Sequence, residues 1–411
     1  MWSEQDNRWV LGLGVAAFIV ATTGAQQAPA IAGRWDAIVV TNGVEVPFPF
    51  EIAGAGTSLH GWFLNGERRI ESTEAEATAD AVVFRFGQYA SRLELRVNGE
   101  SLAGKYYRAR GEPLPVTATR SAASSAAKDS ATAPSIDGTW VVQAKSSKGE
   151  TAWRFIAHQT GPGVEATILR VDGDTGTLTG GWRDGRFVLG HFSGARPLRL
   201  EVTPQADGTL LLSQNGQAAL VAARADTARV ASIGTPTDPA AHTRMKDPSE
   251  PLRFSFPDLD GRVVSNTDEK FRGKVLLVNI SGSWCPNCHD EAPFLAALYR
   301  QYRGRGLEIV TLSFEEGDQL TNPVRLRAFN ATYGIEHTVL LPGEPDQLNE
   351  KVPQAENLNA FPTTFIVGRD GRVRAVHAGF PSPGSGEYYA RAEHEVTELV
   401  ERLLAEKESR Q

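Results

Sequence analysis

Cysteine and methionine are close to absent from this sequence. Of 411 residues only Cys285 and Cys288 carry thiols, and Met245 is the one methionine after the initiator. A chain that keeps a single closely spaced thiol pair reads as one exported to an oxidising compartment, where a stray thiol would be a liability. A basic stripe is missing as well. The net charge is −7, with 42 Lys and Arg against 49 Asp and Glu. Nucleic acid is therefore not an expected partner, because a phosphate backbone calls for a positive surface, and a partner with a basic surface is mildly favoured. Long apolar runs are also lacking. The uncharged stretch at residues 10–23 is short for a bilayer span but suits the apolar core of a signal peptide, with cleavage expected near residues 23–25. Arg8 is its only basic neighbour on the N-terminal side and Glu4 and Asp6 oppose it, so an uncleaved anchor over residues 9–23 stays open. No cysteine follows the run, which excludes a thioether-linked lipid there.

What is present divides the chain. At this length two to three domains are expected. After the signal peptide or anchor (residues 1–25), residues 31–120 alternate apolar and polar positions, as at Phe84 and Phe86 or Leu93, Leu95 and Val97, with turns at Asn65-Gly66 and Asn98-Gly99. Residues 121–135 are Ser- and Ala-rich, have almost nothing to bury, and read as a linker. From 136 to 228 the β pattern resumes at a constant offset of 105: Ile31, Gly33 and Trp35 match Ile136, Gly138 and Trp140; Phe48 and Phe50 match Trp153 and Phe155; Leu93, Leu95 and Val97 match Leu198, Leu200 and Val202. This is a tandem duplication. Asp172-Gly173, Asp184-Gly185 and Asp207-Gly208 supply hairpin turns in the second copy. Each copy, about 90 residues, suits a small antiparallel barrel or sandwich. Trp35 and Trp140 are expected to plug a barrel end rather than line a ligand cavity.

A second, Pro-punctuated linker at residues 229–250 leads to a segment of different character, residues 251–408, where strand and helix alternate. Residues 274–280 form a buried strand, and the helix after Cys285 carries its apolar stripe at Phe294, Leu298 and Tyr302. Further strands are expected at 307–314, 338–341, 364–367 and 373–378, with helices at 322–333 and 387–407. The sum is a mixed sheet flanked by helices, so the fold class is multidomain: two all-β repeats, then an α/β domain.

The thiols lie in "SWCPNCHDEAP", residues 283–293, which satisfies two motifs at once. As C-x-x-C it is a dithiol that cycles with a disulfide; as C-x-x-C-H it attaches haem covalently. Haem needs His289 on iron and a second axial ligand, yet Met245 lies in a linker and a buried strand precedes the motif. A dithiol, by contrast, gains from a strand-to-helix junction, because unpaired N–H groups at the helix start stabilise a thiolate. Zinc would need a fourth ligand, and adjacent Cys288 and His289 share one tetrahedron poorly. No metal site and no cofactor beyond the Cys285–Cys288 disulfide are expected.

Residues 271–293, "FRGKVLLVNISGSWCPNCHDEAP", followed by "FPTTF" at 361–365 and "GRDG" at 368–371, resemble the exported thioredoxin-like thiol:disulfide oxidoreductases of the TlpA/ResA type. The resemblance covers about residues 250–408. It implies Cys285 as the exposed nucleophile, Cys288 as the resolving thiol, Glu291 as a buried acid beside them, Pro293 as a helix kink and Pro362 as a cis-proline facing the dithiol. Trp284, Pro286, Phe361, Pro362 and Thr363 then contact substrate. Many members place proline immediately before the second cysteine, whereas here Pro286 follows the first and Asn287 takes the other place. Exported proteins with disulfides are the implied substrates and a membrane-borne donor the implied source of electrons, in the periplasm or its equivalent. His289 is expected on a solvated helix face and Glu315 and Glu316 in a solvated loop.

Two other function classes compete. A peroxidase of the peroxiredoxin sort shares the "GKVLLVN" strand but uses a Thr three residues before its cysteine, where this chain has Gly282, and a separate Arg. Alternatively, the β repeats hold a ligand or partner and the C-terminal domain is a passive tail.

Overall fold

The computed structural model describes residues 31–121, 133–227 and 230–406. The expected signal peptide or anchor, and most of the first linker, lie outside the described residues.

Alternation of buried and exposed positions along each strand gives the first β unit one apolar face, as in Val44–Ala53, where Val46, Phe48, Phe50 and Ile52 point inward. Nine strands, Gly33–Thr41 through Leu114–Arg120, form one open antiparallel sheet whose edges are Arg68–Glu71 and Glu74–Ala77. The second unit, Gly138–Gln143 through Leu220–Arg224, closes into an eight-stranded barrel, because Ala152–Thr160 also pairs with Gly163–Arg170, which in turn pairs with Leu178–Arg183. The 105-residue offset survives in register: Phe50 faces Phe63, and Phe155 faces Ile168. The difference in closure is local. In the second unit Gly163–Arg170 runs long enough to reach Gly180 and Gly181, whereas the equivalent stretch of the first is taken up by the 3-10 turn Gly56–Ser58.

Both tryptophans are buried in the cores of their units. Trp35 Nε1 donates to Ile31 O (3.0 Å) and Trp140 Nε1 to Ile136 O (2.9 Å), each under an arginine, Arg120 or Arg224, at 4.6 Å. Side chains fill both interiors; Phe50, Phe63, Phe84 and Phe86 occupy the first and Phe155, Phe187 and Leu189 the second. The units are also knitted together. Phe192 of the second inserts among Phe48, Phe63 and Tyr106 of the first, and Tyr106 Oη donates to Gly194 O at 2.7 Å.

The C-terminal domain is a five-stranded mixed sheet in the order Thr338–Leu340, Leu307–Ser313, Val275–Ser281, Thr363–Val367, Val373–Ala378, the first three parallel. Val275–Ser281 is buried along all 7 residues, as a strand covered on both faces must be. The helices Pro286–Tyr302 and Glu387–Ala405 cover one face through Leu295, Leu298, Tyr302, Val396 and Val400. Residues 348–358 cover the other through Leu348, Val352 and Leu358. The connection is anchored from His242 onward: Arg244–Met245 pairs with Ala355–Glu356, and the His242 ring bonds Asn359 at 2.7 Å.

Candidate functional site

Central strand Val275–Ser281 ends at Gly282, and the chain turns into the helix Pro286–Tyr302 with Cys285 as N-cap. Proline at the first helical position forfeits a donor that would have been unpaired there anyway. The Cys288 N–H donates to Cys285 Sγ at 3.3 Å, so the sulfur takes the place an Asp or Ser oxygen fills at other helix starts. Both thiols are free. Burial raises the Cys288 thiol well above the ordinary range, the hydrogen bond and charge of Cys285 adding to it, while Ser281 opposes.

Glu291 is fully enclosed on the next helical turn. Asn279 Nδ2 donates to its Oε2 (2.7 Å) and Thr364 Oγ1 to its Oε1 (2.9 Å); burial pushes the carboxyl up to about 7, these two bonds holding it down. Asn279 and Thr364 face each other across the sheet, so two strands hold the acid together. A cavity of about 10 Å³ touches Cys288, Glu291, Asn279 and Ser281, room for one water at most.

Trp284 lays its indole over Gly282, where a Cβ would meet Nε1 at 2.4 Å, and donates to Phe314 O at 2.9 Å. That packing requires glycine at the position where a peroxidase of the competing class carries Thr. Trp284 packs on Phe361 with centroids 5.1 Å apart, and the Phe361–Pro362 peptide bond is cis. Cys285 Sγ lies 3.5 Å from Phe361 O. Trp284, Pro286 and Phe361 are half-buried, while Pro362 and Thr363 are buried, the Thr363 hydroxyl donating inward to Ala360 O at 2.8 Å. Pro293 lies inside the helix, one turn beyond the dithiol.

Three expectations are corrected. Cys285 is not solvent-facing: it is 1% exposed, as is Cys288. His289 is buried, its nitrogens bonded to Tyr333 Oη and Ser283 O (both 2.9 Å) and its ring stacked on Tyr89 of the first β unit at 4.1 Å. Burial lowers its pKa to about 3, so it is a neutral wedge between units, with both nitrogens taken. Glu315 is 0% exposed and accepts from Ser283 N (2.7 Å), Ser283 Oγ (2.7 Å), Ser313 Oγ (2.7 Å) and Arg325 (3.0 Å); Arg325 also bonds Glu316 at 2.8 Å. This network fixes the loop that carries Trp284 and Cys285. Sequence reasoning missed Asn279, Ser283, Glu315, Arg325 and Thr364. A lone Asn in an otherwise apolar strand was the available signal for the first.

The β units reach this face. Arg68 bonds Asp290 (2.7 Å) and His289 O (2.6 Å), and Asn287 Nδ2 donates to Asp172 O (2.6 Å). Burial pushes Asp290 up to about 7, with Arg68 opposing.

The family described as AhpC/TSA matches residues 249–376. The thiol-disulfide oxidoreductase ResA of Bacillus thuringiensis (strain Al Hakam) is 28% identical over 130 residues, 32% of this chain and 68% of the relative. ResA of Bacillus subtilis (strain 168) is 27% identical over 140 residues, 34% and 72% of the two chains. Among solved structures, a thioredoxin-family thiol:disulfide interchange protein from Chlorobium tepidum TLS is similar at 23% identity and a TM-score of 0.30, over 38% of this chain and 99% of the other. The C-terminal third of the chain is thus a thioredoxin-like thiol-disulfide oxidoreductase domain, an enzyme similar to ResA.

Proposed function

We propose that this domain reduces disulfides in exported proteins, with Cys285 as nucleophile, Cys288 as resolving thiol and Glu291 as proton acceptor. The observation that carries the reading is a free dithiol at a helix start with a buried carboxyl of pKa about 7 on the next turn. The Cys285 thiolate attacks one sulfur of the client disulfide. A Cys285–client mixed disulfide forms, the client S–S bond breaks, and the departing client thiolate takes up a proton. Cys288, whose buried thiol does not ionise unaided, gives its proton to the Glu291 carboxylate as its sulfur attacks Cys285. The second client thiol leaves with a proton. The client has gained two electrons and the protein holds a Cys285–Cys288 disulfide, which an external donor, membrane-borne in this reading, reduces again.

Disulfide exchange is favoured over peroxide reduction by Gly282 and by Arg325, whose guanidinium is spent on Glu315, Glu316 and Ser283. Trp284, Pro286, Phe361, Pro362 and Thr363 are assigned to the client contact. Export rests on the apolar run at residues 10–23 and on the scarcity of thiols. Among the described residues no helix is long and apolar enough to cross a membrane.

The test is trapping. In Cys288→Ser the first half-reaction proceeds and the second cannot, so a mixed disulfide through Cys285 accumulates with reactive client and is released by dithiothreitol. Failure of Cys288→Ser to hold any client, with Cys285→Ser behaving the same way, removes the assignment of roles.

A further inference from the structure

Cys285 is 1% exposed, although the reaction needs it to meet another protein's sulfur. A segment of the second β unit lies against Asn287, between the two thiols, and against Ala360, beside the cis-proline turn. Val171 packs with Ala360, next to Phe361, and with Ala378 of the neighbouring strand. Gly173 bridges Phe380 in parallel. Asp172 O accepts from Asn287 Nδ2 at 2.6 Å, within the C-x-x-C dipeptide. Lys148 bonds Asn359 O at 2.9 Å and the Asp172 carboxylate at 3.3 Å. Asp174 Oδ2 accepts from Ser382 N (2.7 Å), Ser382 Oγ (3.0 Å) and Ser385 Oγ (2.5 Å).

We propose that residues 171–174 occupy the groove a client peptide uses, so that the second β unit caps the dithiol and a client enters by displacing it. The proposal rests on the disulfide-exchange reading above. The segment has the properties of an extended peptide laid on a receptive backbone: one apolar side chain in an apolar notch, one carbonyl on an amide donor, one main-chain bridge. The same three points describe the client, an extended chain with a small apolar residue against Ala360 and Ala378 and a carbonyl toward Asn287.

The fit is close. At Gly173 a Cβ would meet Phe380 O at 2.4 Å and Asn287 Nδ2 at 2.6 Å, and its φ of +117° is one that L side chains rarely adopt. At Gly379, on the other side of the contact, a Cβ would meet Val171 O at 2.3 Å and Gly173 N at 2.6 Å. Glycine stands on both sides where the two segments approach. Along one flank the segment borders a cavity of about 230 Å³ between Arg68, Tyr89, Asp174, His191 and Asn287.

The experiment alkylates the reduced full-length chain with iodoacetamide and follows Cys285 by peptide mass spectrometry, with insulin reduction measured in parallel. Lys148→Ala combined with Asp174→Ala removes the side-chain anchors and leaves the Asn287–Asp172 bond and the dithiol in place. Gly173→Val is the second variant and forces the segment out sterically; circular dichroism confirms that each is folded. The proposal expects Cys285 to alkylate at least about tenfold faster in either folded variant, the factor that ~1.4 kcal/mol of lost closure gives, and insulin reduction to rise with it. Equal alkylation rates in wild type and variants overturn the cap while leaving disulfide exchange standing. Fast alkylation in variants that still do not reduce insulin upholds the cap and overturns the exchange reading instead.

Discussion

At Glu291, charge and enclosure conflict. A carboxyl with no guanidinium or ammonium among its partners, held only by an amide and a hydroxyl, keeps its proton to about pH 7 in the folded chain, against the usual 4.5 of a glutamate in water. The sign follows from proton binding. Between about 4.5 and 7 the folded state binds more protons than the unfolded one, so this group's contribution to stability falls as pH rises through that window. Glu291→Gln should abolish that loss, making the variant the more stable of the two above pH 7 by at most on the order of 3 kcal/mol, at ~1.4 kcal/mol per unit. Its exchange rate should nonetheless drop about 10²-fold, the usual yield of a positioned base, and the inflection near pH 7 in the rate profile should disappear. Denaturant melts from pH 4 to 8 beside single-turnover insulin reduction measure both. An unchanged profile would return Glu291 to a purely structural part. The dithiol was legible from its spacing in the motif, and Glu291 as a buried acid only from the family resemblance that the motif carries. The burial of Cys285 was not, because Phe361, whose carbonyl lies 3.5 Å from its sulfur, stands 76 positions downstream, and no helical spacing carries that.

Elements in the C-terminal domain follow their sequence periodicity closely. The helix expected at 322–333 is Val324–Tyr333, and the strand expected at 307–314 is Leu307–Ser313. Glu315 and Glu316 misled for a definite reason: two adjacent carboxylates after a strand usually meet water, but Arg325, nine and ten residues on, turns back from the helix Val324–Tyr333 to neutralise them. Such a pair is costly to break from one side. Arg325→Leu should leave Glu315 buried without its cation and cost about 3–5 kcal/mol, read as a fall in urea midpoint with the slope unchanged. Replacing Glu315 and Arg325 together by Gln and Leu should cost less than Arg325→Leu alone. The β repeats show the same limit. The duplication and both buried tryptophans are readable from a constant offset, yet whether a unit closes depends on the turn Gly56–Ser58 displacing a ladder, a choice that the shared pattern does not distinguish.

Across the whole molecule, three units that look separable in sequence share side chains. Phe192 completes the first unit's core, Tyr89 stacks on His289, Ile233 packs on the second unit, and residues 239–245 fold onto the C-terminal domain. A chain starting at Asp247 should fold but lose the Arg244–Met245 pairing, whereas one starting at Thr235 keeps it. The shorter form should melt about 4–8 °C lower if that pairing and the His242 contacts supply ~2 kcal/mol. Equal melting temperatures would mean the connection adds nothing to the domain it touches.

The central claim is that Cys285 and Cys288 form one two-electron couple poised as a reductant. Equilibrating the full-length chain in glutathione and dithiothreitol buffers, then counting free thiols by alkylation and mass spectrometry, measures it directly. The account predicts a single two-electron transition between dithiol and intramolecular disulfide, with a midpoint near the −270 mV of thioredoxin. A midpoint near −120 mV, the value of a strong oxidant, or the absence of any Cys285–Cys288 disulfide across the range, would contradict it.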